Sequence, residues 1–280
     1  MSTDLRPVVG PTALGADARR FWHLTRALAL TDFKLKFFGS VLGYVWQLAR
    51  PLAIFGVLYV VFTQVLKFGE DIILFPVALL LGLVLYSFFA EATGGALSSL
   101  LDRENLVRKV EFPRLAVPLS VVITALLNLA LNLIAVFVFL LVAGGEVRVS
   151  WLQLPLVIAG LTLLVLGLGM LLAPMFVRYR DMQPIWDVVL QITLYASPVI
   201  YPIQLALEEN EKIARLLMLN PFAALLQQAR HALIHPSHPS AAEAAGGLEW
   251  MLVPGGLVVV LLIVGYWTFS REAPLIAERL

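Results

Sequence analysis

LDRENLVRKVEFPRLAVP, residues 101–118, is a short polar stretch between two long apolar runs. Four basic residues (Arg103, Arg108, Lys109, Arg114) and three acidic ones (Asp102, Glu104, Glu111) stand where hydrocarbon tolerates almost none. The stretch is therefore expected in water or against another protein, on the membrane face that collects Lys and Arg. A multispan chain without chemistry of its own needs such a handle if something outside the bilayer is to move it.

Composition agrees with that reading. The chain is 60% hydrophobic and 14% charged with a mean hydropathy of +0.88, whereas soluble domains are about 25% charged. The net charge of +1 gives no reason to expect nucleic acid; the segregation of the charges is the useful fact. With no cysteine, the sequence offers no disulfide framework, thiolate nucleophile or Cys-based metal site. The first twenty or so residues are hydrophilic and lack the short apolar core of a cleaved signal peptide, so the first span is expected to serve as the insertion signal.

The expected fold class is all-α integral membrane. A membrane helix needs about 20 mostly apolar residues, and six stretches qualify: about 42–66, 72–97, 113–143, 151–176, 185–200 and 250–269. The fifth is short, and Ser197-Pro198 followed by Tyr201-Pro202 predicts a helix broken before the far side. Six spans put both termini on one side. Arg6, Arg19, Arg20, Arg26, Lys34 and Lys36 precede the first span; Arg103, Arg108, Lys109 and Arg114 follow the second. Arg178 and Arg180 follow the fourth, and Arg271 and Arg279 lie in the 271–280 tail. The opposite side receives Lys67, Arg148, Lys212, Arg215 and Arg230. The asymmetry predicts cytoplasmic N- and C-termini.

Residues 1–18 are expected to be disordered. Residues 19–38 place Phe21, Leu24, Leu28 and Leu35 near one helical face, with Arg19, His23, Arg26 and Lys34 roughly opposite. This predicts an amphipathic interface helix, as a lipid anchor or a docking element. On the external side, about 203–234 predicts short helices with apolar faces (Leu216, Leu217, Leu219; Phe222, Leu225, Leu226), re-entrant or lying flat as a lid. HPSHPSAAEAAGG, residues 235–247, reads as a loose linker.

Enzymatic signatures are missing from the sequence. There is no G-x-x-x-x-G-K-[S/T] loop, and no Gly-Lys pair at all. His231, His235 and His238 fall at i, i+4 and i+7, but Pro236 and Pro239 oppose a helix there, which favours an exposed loop. Arg50, Glu91 and Asp187 are ionisable residues near the cytoplasmic ends of their spans. Snorkelling suffices for Arg50, whereas the short Glu91 carboxylate snorkels poorly.

Four motifs in register with the spans carry a family resemblance: FKLKFFGSVLGYVWQLARPL (33–52), ENLVRKVEFPRLAVPLS (104–120), VRYRDMQPIWDVVLQITLYASPVIYP (177–202) and LNPFAALLQQAR (219–230). Together they resemble the ABC-2-type permeases that export lipid-linked polysaccharides, the class serving O-antigen, teichoic acid and related envelope glycans. The resemblance implies a transmembrane domain over 39–270 and a homodimer of this chain with two copies of a separate ATPase subunit. ATP and Mg would be bound by that subunit, with no cofactor in this chain. An undecaprenyl-type lipid-linked polysaccharide would leave through the bacterial cytoplasmic membrane; the alternatives are an ABC-2 exporter of a drug or small lipid and a membrane-embedded glycan-processing enzyme, for which the sequence offers no polar catalytic cluster.

On that resemblance a coupling helix lies at about 101–112, with Arg103, Glu104, Asn105, Leu106, Arg108 and Lys109 seated in the ATPase. Apolar docking would come from Leu106, Val107 and Val110, with the charges fixing register. Phe112, Pro113 and Arg114 form a pivot, since Pro suits a first helical turn. Arg180 and Asp181 occupy the turn before the fifth span, where Asp181 can cap the helix. Phe55, Tyr59 and Phe62 at i, i+4 and i+7, with Trp186, Tyr195 and Tyr201, are candidate channel-lining aromatics for sugar faces. The spacing is equally that of core packing or of interface aromatics.

Overall fold

The computed structural model describes residues 12–15, 17–37, 41–65 and 72–280, and among these every regular element is helical. Four stretches are long and apolar enough to cross a membrane: Phe75–Asp102, Ala116–Val142, Val149–Arg178 and Leu248–Arg279. They contain α3 (Phe75–Asp102), α5 (Ala116–Val142), α6 (Leu154–Arg178) and α12 (Leu252–Glu272). Two elements fall short by that measure. Helix α2 (Val41–Val60) carries Pro51 inside it and passes into a π turn at Val61–Val65, and its apolar part is Ala49–Val65. Helix α7 (Met182–Ala196) stops because Ser197, extended at φ −113° and ψ 149°, precedes Pro198.

Helix α3 is the centre of the bundle. It packs on α5 and α6, and α12 packs on α6. Leu79, Leu80, Leu81, Leu85, Leu97 and Leu100 are fully buried along it, so α3 is apolar all round rather than striped. The α6–α12 crossing is so close that a Cβ on Gly265 would stand 2.3 Å from the Gly167 carbonyl oxygen. Backbone contact of this kind needs small residues, and it yields the dispersion that holds helices together where lipid offers no hydrophobic drive.

Helix α1 (Ala18–Phe37) lies along α5. Its inner face is Phe21, Leu24, Thr25, Leu28, Ala29 and Asp32, and Thr124 donates to the Ala29 carbonyl at 3.2 Å. Leu35 is the exception to the expected stripe: it is 64% exposed, because the last turn of α1 faces inward with polar groups.

At the other end of the bundle sit α8 (Ile203–Glu209), α9 (Glu211–Met218), α10 (Pro221–Leu233) and α11 (Ala241–Ala245). Asn210 caps α9 through Lys212 N, and Asn220 caps α10 through Phe222 N. Helix α10 reaches inward: Phe222 packs on Phe89 at 4.9 Å, while Arg230 bonds the Ala78 carbonyl, eleven residues nearer the start of α3. At 1.5 Å per residue that is roughly 16 Å of depth.

Residues 235–247 are not the loose linker their composition suggests. Ser240 and Glu243 form a capping box, Gly246 at φ +83° ends α11, and Ala241, Ala244 and Ala245 are buried. His238 is likewise not on an exposed loop. It is buried, and its Nε2 lies 2.9 Å from the Ile73 carbonyl, just ahead of α3.

Candidate functional site

The polar stretch that interrupts the apolar pattern folds into α4 (Glu104–Lys109), a helix of less than two turns between α3 and α5. Regular helix occupies 104–109 of the expected 101–112, since α3 itself continues to Asp102 and Val110 is extended. Val107 is fully buried in a core of its own chain, with Leu100, Phe112, Leu115, Met170, Ala173, Phe269 and Ile276. It therefore does not face a docking partner. Leu106 is half-buried on the same core. Asn105, Arg108, Lys109, Val110 and Glu111 are exposed, and Glu104 and Arg108 pair along the helix at 2.7 Å.

Two arginines of the stretch turn inward. Arg103 donates to Ser120 Oγ of α5 at 3.0 Å and forms an ion pair with Asp32 of α1. Arg114 is 3% exposed and donates to the Val107 carbonyl, capping α4 from behind. Phe112, Pro113 and Leu115 are buried around it. Within the region expected to be disordered, Ala13 is buried and its carbonyl accepts from Leu115 N at 3.1 Å. Gly15, at φ +69°, lies so close that a Cβ would meet Pro113 Cγ at 2.7 Å. From the other terminus, α13 (Ile276–Arg279) packs on α4 and α6. The exposed face of α4 is thus a rigid corner fixed to both terminal segments and to α1, α3, α5, α6 and α12.

Beside this corner Glu91 accepts from Lys36 Nζ at 2.7 Å and from Asn128 Nδ2 at 2.6 Å. A carboxylate that cannot snorkel is met instead by a lysine of α1. Arg50 and Asp187 are exposed, as are Arg180 and Asp181. Asp181 stands at the N-cap of α7 without a side-chain capping bond, while the Arg180 guanidinium lies 5.9 Å from the Phe176 ring.

The candidate channel aromatics divide. Phe55 is buried, edge-on to Phe139 at 5.3 Å and stacked with Tyr59 at 5.8 Å. Trp186 is buried and donates from Nε1 to Thr93 Oγ1 at 3.1 Å, so it packs within its own chain. Phe62 meets Phe75 edge-on at 6.1 Å. Tyr59 and Tyr195 are exposed, and Tyr201 OH donates to the Tyr195 carbonyl. Helix α7 leaves Ile185, Val188, Ile192 and Tyr195 exposed along one side, and α2 with its π turn leaves Ile54, Val57 and Val61 exposed.

The motifs read separately in the sequence meet at the end of the bundle that holds α8 to α11. Asn220 Nδ2 donates to Ser197 Oγ at 3.0 Å, joining the Asn-Pro motif to the Ser-Pro break. Arg230 then donates to the carbonyls of Val199, Tyr201 and Ala78. In the sequence Arg230 reads only as an outside charge. Its setting in the apolar face Phe222, Ala223, Leu226, Ala229 was the available signal that it is buried and partnered.

The model of the ABC-2 type transporter family matches residues 23–234 of this chain. The chain belongs to that family. The permease is 31% identical over 200 residues to an O-antigen export system permease protein of Myxococcus xanthus, covering 71% of this chain and 76% of that one. A Klebsiella pneumoniae O-antigen export permease is 26% identical, covering 89% of this chain and 92% of its own. The polysialic acid transport protein KpsM of Escherichia coli is 24% identical, covering 74% and 80%. The matched span holds α4, the Ser-Pro break and the Asn-Pro helix. The permease is therefore a membrane protein of a transporter family.

Proposed function

We propose that this permease is the membrane subunit of an ATP-driven exporter that passes a lipid-linked, undecaprenyl-type polysaccharide outward across the bacterial cytoplasmic membrane. One observation carries the reading: relatives named as O-antigen export permeases align over most of both chains. On this reading the chain forms a homodimer and receives force from two copies of a separate ATPase, which binds ATP and Mg. The sequence holds no phosphate loop, which accords with a motor on another polypeptide.

The geometry supports a division of labour. The exposed side of α4, with Asn105, Arg108 and Lys109, is the contact with the ATPase. Arg103 and Arg114, which face inward, transmit its displacement to α1 and α5 rather than touching the partner. Helix α2 with its π turn is the first of six spans and α7 the fifth, broken at Ser197-Pro198; α10 re-enters between α3 and α6. The termini are cytoplasmic by the distribution of Lys and Arg. The apolar faces of α2 and α7 left open in one protomer are the surfaces for the second copy and for the glycan path, where Tyr59 and Tyr195 offer aromatic faces.

The test is reconstitution with the cognate ATPase in vesicles loaded with the lipid-linked polysaccharide. ATP-dependent movement of the glycan to the side opposite the ATPase is expected. ATP turnover without movement of glycan would reject the cargo. Replacing Tyr59 and Tyr195 by Ala should impair glycan movement more than ATP turnover; equal loss of both would assign them to packing.

A further inference from the structure

A cavity of about 370 Å³ lies where the ends of α6, α12 and α13 meet, lined by Arg178, Trp267, Thr268, Arg271, Glu272 and Arg279, with Leu275 at its edge. Its charges are unbalanced. Arg279 pairs with Glu272, but among the described residues neither Arg178 nor Arg271 has a carboxylate partner. Each lies over a neighbouring ring instead, Arg178 at 5.1 Å from the Tyr179 centroid and Arg271 at 5.5 Å from that of Trp267. Two guanidinium groups therefore line the cavity with their charge unanswered, beside a half-exposed tryptophan of the sort that sits at the headgroup level of a membrane.

The surface leading from the cavity is hydrocarbon-like. Val260, Ile263, Val264 and Trp267 of α12 are exposed in succession, and no described helix covers them. Helix α12 packs on α6 and α10, whereas α2, which carries Tyr59, packs on α3 and α5. The cavity thus lies away from the face of α2 assigned to the glycan path.

We propose that this cavity seats the phosphate of a resident anionic glycerophospholipid, with its acyl chains along the exposed face of α12. A phosphate accepts paired N–H donors from guanidinium groups, and only an amphiphile satisfies both the two arginines and the apolar stripe that runs from them. The bound headgroup would tie the ends of α6 and α12 to α13, which packs on α4, so the lipid would stiffen the corner that receives the ATPase. The inference rests on the proposed orientation only in assigning the lipid to the cytoplasmic leaflet.

Native mass spectrometry of the purified permease measures this directly, with phosphatidylglycerol offered alone and in competition with polyprenyl diphosphate or inorganic phosphate. Phosphatidylglycerol should be retained by the wild type and lost at least roughly tenfold in R178Q/R271Q. R178K/R271K should keep most of it, which separates lost charge from a lost fold. Arg148→Gln, at the opposite end, should change nothing. Undiminished phosphatidylglycerol on R178Q/R271Q would overturn the site. Equal displacement by inorganic phosphate would overturn the lipid, and a strong preference for polyprenyl diphosphate would overturn the resident source. Labelling a single thiol at Glu278→Cys from either side tests the orientation independently, because the chain has no other cysteine.

Discussion

Arg230 Nη2 donates to the Val199 carbonyl at 2.8 Å, a bond across 31 positions of sequence that fastens α10 to the broken end of α7. The guanidinium also reaches the Tyr201 and Ala78 carbonyls, and among the described residues no carboxylate pairs with it. Arginine fits because its planar fork serves several acceptors at once, which a lysine point charge cannot.

Replacing Arg230 by Leu should therefore cost roughly 3 kcal/mol or more, since it removes a buried donor that serves the Ala78 and Val199 carbonyls and that of the half-buried Tyr201. Lys should rescue only part. Thermal denaturation in detergent with limited proteolysis of residues 203–245 reads the effect; wild-type stability in R230L would contradict it. Asn220→Ala, which removes a cap and the Ser197 contact, should cost about 1–2 kcal/mol.

The buried His238 gives the lid end a pH dependence. Burial is the first cause that lowers its pKa to about 4 from 6.5; the Ile73 carbonyl opposes this, and Arg230, His235 and His231 add to the lowering. Between pH 6.5 and 4 the unfolded chain binds a proton that the folded chain refuses. Stability should be full above pH 6.5 and fall as pH drops toward 4, by roughly 3 kcal/mol in total. The Glu243 carboxylate, held low first by the Ser240 backbone N–H and then by the Ser240 side chain, acts only below its ordinary value of 4.5. Denaturation midpoints from pH 7.5 to 5 should fall in the wild type and stay flat in His238→Gln; parallel curves would refute the assignment.

Gly265→Leu or Gly167→Leu should break the α6–α12 crossing, because each side chain would meet backbone at under 3 Å. A loss of about 1–3 kcal/mol or more is expected. Gly256→Ala, with nothing within 4 Å of its Cβ, should be neutral. Similar losses at all three positions would show that the close crossing is not what is being measured.

What the sequence makes legible follows from where it carries a period. The apolar runs of α3, α5, α6 and α12 are long enough to identify themselves, and the polar residues 101–118 mark the α3–α5 junction. Side-chain partners across distant elements carry no such period. Arg103 and Arg108 look alike in the sequence, yet one binds Asp32 and Ser120 while the other pairs along its own helix. Asp32, on the inner face of α1 with Phe21, Thr25 and Leu28, was the clue that a cation waits opposite. At 235–247 the Pro, Gly and Ser content conceals a capping box, because five alanine-rich residues are too few to show a helical stripe.

Asp32 and Arg103 should be coupled energetically. Both are less than one-third exposed, and Arg103 also holds Ser120. A double-mutant cycle of Asp32→Asn and Arg103→Gln should give an interaction of about 0.5–2 kcal/mol in stability. It should also give a shared loss of ATPase stimulation, since either change frees α1 from the corner. Strict additivity in both readouts would remove the role given to the pair.

On the proposed function, the exposed face of α4 receives force from a separate ATPase. The most direct measurement is permease-stimulated ATP hydrolysis by the cognate ATPase with R108E/K109E, in parallel with the dimer mass and melting temperature of the permease alone. Both residues are exposed and outside the buried core, so fold and dimer should be unchanged while stimulation falls at least roughly fivefold through charge reversal at the contact. Unaltered turnover in a folded, dimeric variant would contradict the account.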